Sequence, residues 1–338
     1  MGFFNRKRIG IDLGTANTLV YVQGRGIVLN EPTVVAYSLE DKRILTVGND
    51  AKQMLGRTPG SIIASRPMRE GVIADYTTTS AMITYFIKKA LNGSSMWTDV
   101  MISIPGGSSQ VEKRAVVSAC KHAGARDVYL IEEPLAAAIG AKIPISQASG
   151  HMIVNMGGGT AEIAIISLGQ LVAYKTVRIA GTKIDEAIMQ HLRKKHNVVV
   201  GERTAEEVKV KIGSAFIEEG EGYVERTTEV RGRDIQTGLP RILEIGEKSI
   251  NEGIQKPLKQ ILEGIKEVLG MAPPELAADI VDKGIVLSGG TALLHNLNKY
   301  ITYYTGVSAF VVEDPLFCVI RGVGVTVENL DSFKNAIK

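Results

Sequence analysis

Cysteine is almost absent from this chain: Cys120 and Cys318 are the only two in 338 residues. Two thiols make no disulfide framework, so a reducing compartment is expected and both read as small buried apolar residues. Aromatic residues are sparse at 5%, and Trp97 is the sole tryptophan. An excess of one charge is lacking too: 39 Lys and Arg face 36 Asp and Glu, a net +3. So small a surplus gives no reason to expect nucleic acid as a partner. No stretch approaches 18 uninterrupted apolar residues, which excludes a transmembrane helix. The segment Met1 to Arg8 lacks the apolar run of a signal peptide, and Arg6 stands where a myristoylation signal wants Ser or Thr. The five histidines show no metal spacing; His191 and His196, five apart, do not fall on one helical face.

What is present is a globular chain, 45% hydrophobic and rich in glycine, with the length of about two domains. Strand-like and helix-like runs alternate, which predicts an α/β fold. Arg8–Leu13 reads as a buried strand, and Leu19–Val22 with Gly26–Leu29 flank a hairpin turn at Gln23-Gly24-Arg25. Helices are expected from an N-cap at Thr77 to the stop at Asn92-Gly93, and from Ser108 or Ser109 to Gly124 with Val111, Ala115 and Ala119 on one face. Ile250 to Leu269 keep helical spacing, with Pro257 expected to kink or split the run.

One internal echo organises the rest. Ile9-Gly10-Ile11-Asp12-Leu13-Gly14-Thr15-Ala16 resembles Ile153-Val154-Asn155-Met156-Gly157-Gly158-Gly159-Thr160-Ala161. Each is an apolar strand that meets a polar residue, turns through glycine and threonine, and leaves as a second strand, so two halves of similar construction are expected. Glycines let backbone amides approach an anion, and Thr15, Thr18 and Thr160 add hydroxyls. Facing turns of this kind would clasp a polyphosphate; neither the Walker-type nor the dinucleotide glycine motif occurs. Asp12, ending a buried strand, suits hydrated Mg²⁺ or an Asx turn. Glu132 and Glu133 lie where a strand runs into a helix with Pro134 at its start, fit for complementing the helix dipole or orienting a water. Leu287-Ser288-Gly289-Gly290-Thr291-Ala292 is another strand, glycine turn and helix, where a flat base or ribose would rest on backbone. Glu206 and Lys209, one helical turn apart, suit either the sugar and base or a plain surface ion pair.

In this order these elements resemble the actin-like ATPase superfamily. The strings Arg66 to Tyr76, Leu130 to Gly140, Gly201 to Glu206 and Thr237 to Arg241 are similar to its MreB branch, the bacterial cell-shape actins. The resemblance implies an actin-like, ribonuclease H-like pair of duplicated domains around a nucleotide cleft, each with a smaller subdomain. Domain I would span 1–145 (large subdomain 1–32 and 66–145, small 33–65). Domain II would span 146–314 (large 146–181 and 245–314, small 182–244), with 315–338 returning to domain I. It further implies ATP and Mg²⁺ in the cleft, phosphates held by Gly14, Thr15, Ala16, Asn17, Gly157, Gly158, Gly159 and Thr160, and the adenosine by Glu206, Lys209, Gly289, Gly290 and Thr291. Asp12 would hold Mg²⁺ through water, Glu133 would orient the attacking water, and Thr160 would assist. Partners would be further copies of the chain in paired protofilaments, paralogous filament proteins and the inner face of the cell membrane, at the cytoplasmic side.

Four positions depart from the branch pattern: Asn155 for Asp, Ala161 for Thr, Thr291 for Gly and Thr182 for Asp. An amide offers no full negative charge, so ATP binding with slow or lost hydrolysis is expected. Met96 and Trp97 form an apolar pair in a polar stretch, either a bilayer anchor or a ring tucked against the next strand. Phe3 and Phe4 beside Arg6, Lys7 and Arg8 are a second membrane candidate. A metabolite kinase of the same superfamily is the alternative; it would need a substrate pocket and a catalytic carboxylate near the γ-phosphate, which nothing beyond Glu132 and Glu133 supplies, and Asn155 weakens that reading. A chaperone ATPase would carry a substrate domain, whereas this chain ends at Lys338.

Overall fold

The computed structural model describes residues 7–93, 98–218, 220 and 222–333. Two five-stranded sheets carry it, and they are built alike. In the first, β1 (Lys7–Leu13), β2 (Asn17–Val22) and β3 (Gly26–Pro32) form an antiparallel meander. The chain then makes a small sheet from β4 (Val35–Ser38), β5 (Ile44–Val47) and β6 (Ile62–Ser65), with α1 (Asn49–Met54) before β6. A two-strand hairpin, β7 (Met68–Arg69) and β8 (Val72–Ile73), leads to α2 (Tyr76–Ala90). β9 (Thr98–Ile104), α3 (Gln110–His122) and β10 (Ala125–Glu132) complete the sheet, β9 parallel to β1 and to β10, before α4 (Glu133–Gly140).

The second sheet repeats this plan. β11 (His151–Met156), β12 (Ala161–Ser167) and β13 (Gln170–Val177) form the meander. After α5 (Gly181–His196) come β14 (Val198–Val199), α6 (Glu202–Ile212), β15 (Thr227–Asp234) and β16 (Pro240–Gly246), whose three strands make a small sheet. Then α7 (Glu247–Gly270) and α8 (Pro274–Lys283) precede β17 (Ile285–Ser288), parallel to β11. α9 (Leu297–Thr305), β18 (Ala309–Val311), α10 (Cys318–Glu328) and α11 (Leu330–Phe333) end the described chain. The orders β3-β2-β1-β9-β10 and β13-β12-β11-β17-β18 match strand for strand, so the expected echo is a duplication of whole sheets.

The all-buried faces of β9, β11 and β12 seat three apolar cores, one in each half and one between them. The middle core is made by exchange: α4 packs against β11 and β12, while α10 packs against β1, β2 and β9. α4 and α10 cross at backbone contact. A Cβ on Gly140 would lie 1.8 Å from the Cys318 carbonyl oxygen, and one on Gly322 1.8 Å from that of Ala136. Both cysteines are buried and free, and burial pushes their thiols up to about 12 for Cys120 and about 11 for Cys318.

Several local expectations need correction. α2 starts two residues earlier than Thr77 suggests, because the Asp75 carboxylate accepts from the Thr78 amide and hydroxyl and caps it. Ser109 caps α3 in a reciprocal box with Glu112, but Val111 is 75% exposed. The buried stripe is Val116, Ala119 and Cys120, the i, i+3, i+4 set one turn further on. Pro257 does not split α7, which is one helix of 24 residues. The segment after Gly289 is a short 3₁₀ turn, Gly290–Leu293, instead of a helix. His191 and His196 do meet: both Nε2 atoms lie within 3.0 Å of Ser249 Oγ on α7. His196 is the last residue of α5, where Asn197 turns left-handed (φ 57°) and the helical face no longer constrains the side chain. Among the described residues no helix is long and apolar enough to cross a membrane, and Phe3, Phe4, Met96 and Trp97 lie outside them.

Candidate nucleotide cleft

The two glycine turns sit at the same place in the two sheets, between β1 and β2 and between β11 and β12, and they face each other. A Cβ on Gly158 would fall 2.6 Å from that of Ala16, and one on Gly159 2.3 Å from Thr15 Oγ1. Only glycine permits that approach. The second turn is held from behind: the Gly157 carbonyl accepts from the Gly181 amide (3.2 Å) and from Thr291 Oγ1 (2.7 Å), and the Gly158 carbonyl accepts from the Thr182 amide (2.8 Å). Thr291 thus braces the turn with its side chain and Thr182 with its backbone amide. Between the turns lies the β7–β8 tip, where the Gly71 amide donates to Thr15 Oγ1 (3.0 Å) and a Cβ on Gly71 would meet Thr160 Cγ2 at 2.7 Å.

Symmetry reaches the hydrogen bonds at the strand ends. Asp12 Oδ1 on β1 accepts from Ser103 Oγ on parallel β9 at 3.0 Å. Asn155 Oδ1 on β11 accepts from Ser288 Oγ on parallel β17 at 3.1 Å. Ser103 and Ser288 hold matching posts, and only the acceptor differs, carboxylate in one half and amide in the other.

Three carboxylates gather at the foot of the cleft. Burial raises Asp12 from its ordinary 3.8 to about 6, the Ser103 hydroxyl partly opposing it. Glu133, first residue of α4 and 9% exposed, is pushed well above the usual range by burial, then by the charges of Glu162 and Asp12. Glu132 stays at the N-cap and half-buried, so the paired glutamates separate into one facing the cleft and one at the helix start. Glu162 on β12 is 1% exposed and, like Glu133, raised by burial. Its Oε2 accepts from the Gly106 amide (3.0 Å) and Thr176 Oγ1 (2.8 Å), while its Oε1 has no partner. Sequence reasoning passed over Glu162; the signal was a lone acid in a strand whose other inward positions are apolar, directly across from Asn155.

At the upper end of the cleft Glu206 and Lys209 do not pair with each other. Lys209 Nζ reaches Asp185 Oδ1 (2.8 Å) and the Gly181 carbonyl (3.1 Å). Burial nevertheless raises Asp185 to about 6, outweighing the Lys209 ammonium. Glu206 crosses to the other half, 3.0 Å from Lys52 Nζ on α1; burial opposes its charge, but the Lys52 and Lys209 ammonium groups prevail and hold its carboxyl low. Gly289 turns with φ +83°, and a Cβ there would strike the Met156 carbonyl at 2.3 Å, so the backbone beside the second turn is bare. Ala161 is buried in the second core and offers the cleft no polar group. Among the described residues no group of three His, Cys, Asp or Glu is arranged to grip a metal directly.

A family model described as MreB/Mbl protein matches residues 6–335. The cell shape-determining protein MreB of Escherichia coli K12 is 49% identical over 329 residues, 96% of this chain and 94% of that protein. The cell shape-determining protein Mbl of Bacillus subtilis is 42% identical over 325 residues, 96% of each. The crystal structure of Spiroplasma citri MreB5 bound to ADP superposes with a TM-score of 0.91 at 34% identity, covering 98% of this chain and 99% of that one. The AMPPNP-bound form gives 0.92 with the same identity and coverage. Duplicated actin-like sheets and likeness along nearly the entire length agree: the chain belongs to the MreB/Mbl family.

Proposed function

We propose that the cleft binds ATP with Mg²⁺, that its occupancy governs head-to-tail polymerisation into paired filaments at the inner membrane face, and that these filaments organise cell shape. The observation that carries this reading is the pair of glycine turns, facing each other at a separation that excludes side chains, above the carboxylates of half-buried Asp12 and buried Glu133 and Glu162. The ADP and AMPPNP complexes of S. citri MreB5 support the nucleotide, and the names of the E. coli and B. subtilis relatives support the role in shape. The division into domains at 145 and 314, with inner subdomains 33–65 and 182–244, belongs to the same proposal.

The amides of Gly14 to Asn17 and Gly157 to Thr160 would cradle the phosphates, while Gly289, Gly290 and Thr291 would floor the adenosine and Glu206 with Lys209 would flank the sugar. The donor set fits Mg²⁺. Three carboxylates raised by burial, Glu133 further by the charges of Glu162 and Asp12, and one with an orphaned oxygen, are the surroundings a hydrated dication relieves. Asp12 would hold the ion through water, and the ion when bound would neutralise phosphate charge. Glu133 would orient the attacking water and Thr160 would donate to the phosphates. Asn155 supplies no charge at its post, so hydrolysis would be slow.

Light scattering of the purified chain against protein concentration, with and without Mg²⁺ and ATP, tests this. A threshold concentration that falls when nucleotide is added is expected. A chain that stays monomeric at every concentration and shows no affinity for adenine nucleotides refutes it.

A further inference from the structure

Two ion pairs cross the mouth of the cleft. α1 belongs to the small sheet of the first half and α6 to the second half, and a groove of about 520 Å³ separates them. Their apolar faces turn away from one another: Ala51 packs with Val34 and Ala36, while Ala205, Val208 and Ile212 pack into the second core. What spans the gap is two cations from the first half and two acids one turn apart on α6. Lys52 Nζ lies 3.0 Å from Glu206 Oε2, and Arg66 Nε lies 3.8 Å from Glu202 Oε2. Arg66 is also tied to the first glycine turn through the Ala16 carbonyl (3.4 Å), and its buried Nε has no hydrogen-bond partner.

We propose that Lys52 and Arg66 form a two-point electrostatic latch on the Glu202 and Glu206 face of α6, closing the cleft mouth over a bound nucleotide and setting its rate of release. This rests on the reading that the cleft takes an adenine nucleotide. With no apolar seam between α1 and α6, the latch is the main resistance to opening there, and part-exposed pairs of this kind are weak enough to open readily. Arg66 couples the latch to the phosphates, since any shift of Ala16 on binding moves the guanidinium toward or away from Glu202. Glu206 has two tasks, the sugar and the latch, and Lys52 has only the second.

Stopped-flow release of a fluorescent N-methylanthraniloyl ATP, chased with excess ATP, tests the latch in the full chain. Lys52→Ala is expected to speed release about two- to fivefold, the range a part-exposed ion pair supplies, and Lys52→Glu to speed it more. Lys52→Arg is expected to retain slow release. In the wild type the rate should rise between about 50 and about 500 mM salt, and this dependence should shrink in Lys52→Ala. Unchanged release in folded Lys52→Ala and Lys52→Glu overturns the latch alone. Failure of the wild type to bind the analogue overturns the nucleotide reading, and the latch with it.

Discussion

Asn155 and Asp12 occupy equivalent posts, each accepting from a serine on the neighbouring parallel strand. An aspartate at 155 would keep the Ser288 bond, because that bond needs only an acceptor, and would add the charge the amide lacks. Asn155→Asp is therefore expected to raise steady-state phosphate release, by up to about 10²-fold; unchanged turnover would remove Asn155 from the account. Asp185 supports a second prediction at this scale. Its pKa rises from 3.8 to about 6 on folding, so the folded chain holds that proton more tightly than the unfolded one. Stability from this group is full below about pH 4 and falls as the pH climbs to about 6. Asp185→Asn removes that slope, so its Tm relative to the wild type should increase across the window and level off above it. The residues that sequence missed, Glu162 and Ser103, act only through neighbours on other strands, which no linear spacing reveals.

At the scale of elements, caps and turns were the most legible features because their chemistry is local. The Gln23-Gly24-Arg25 turn and the Ser109 cap of α3 form where expected. Pro257 shows the opposite case. It removes one intrahelical bond, but α7 is seated on both sides of it by Ile250, Ile254, Leu258 and Ile261, and packing against α5 keeps it one helix. Gly140 and Gly322 were equally unremarked in sequence, though the crossing of α4 and α10 depends on them. Gly322→Val would drive a branched side chain into the Ala136 carbonyl, and a loss of about 3 kcal/mol in denaturant unfolding is expected. A loss below about 1 kcal/mol would mean that the helices part easily at this crossing.

For the whole molecule the defining feature is that one sheet plan occurs twice and the two copies exchange helices, α4 to the second sheet and α10 to the first. Any ligand between the turns must then touch both halves. Adding Mg²⁺ and ATP should slow hydrogen exchange of the amides in 14–17 and 157–160 together; protection of one segment alone would contradict a shared cleft. The sequence by itself determined the α/β class, the duplication, both glycine turns and the polar residue at each strand end, because strand periodicity and glycine turns are written over a few adjacent residues. Only the tertiary structure decided which of Glu132 and Glu133 faces the cleft, that Glu162 joins it, that Glu206 reaches Lys52 instead of Lys209, and that the two histidines meet. Those outcomes depend on how side chains far apart in sequence share one desolvated space, and burial and charge there are properties of the assembled sheets.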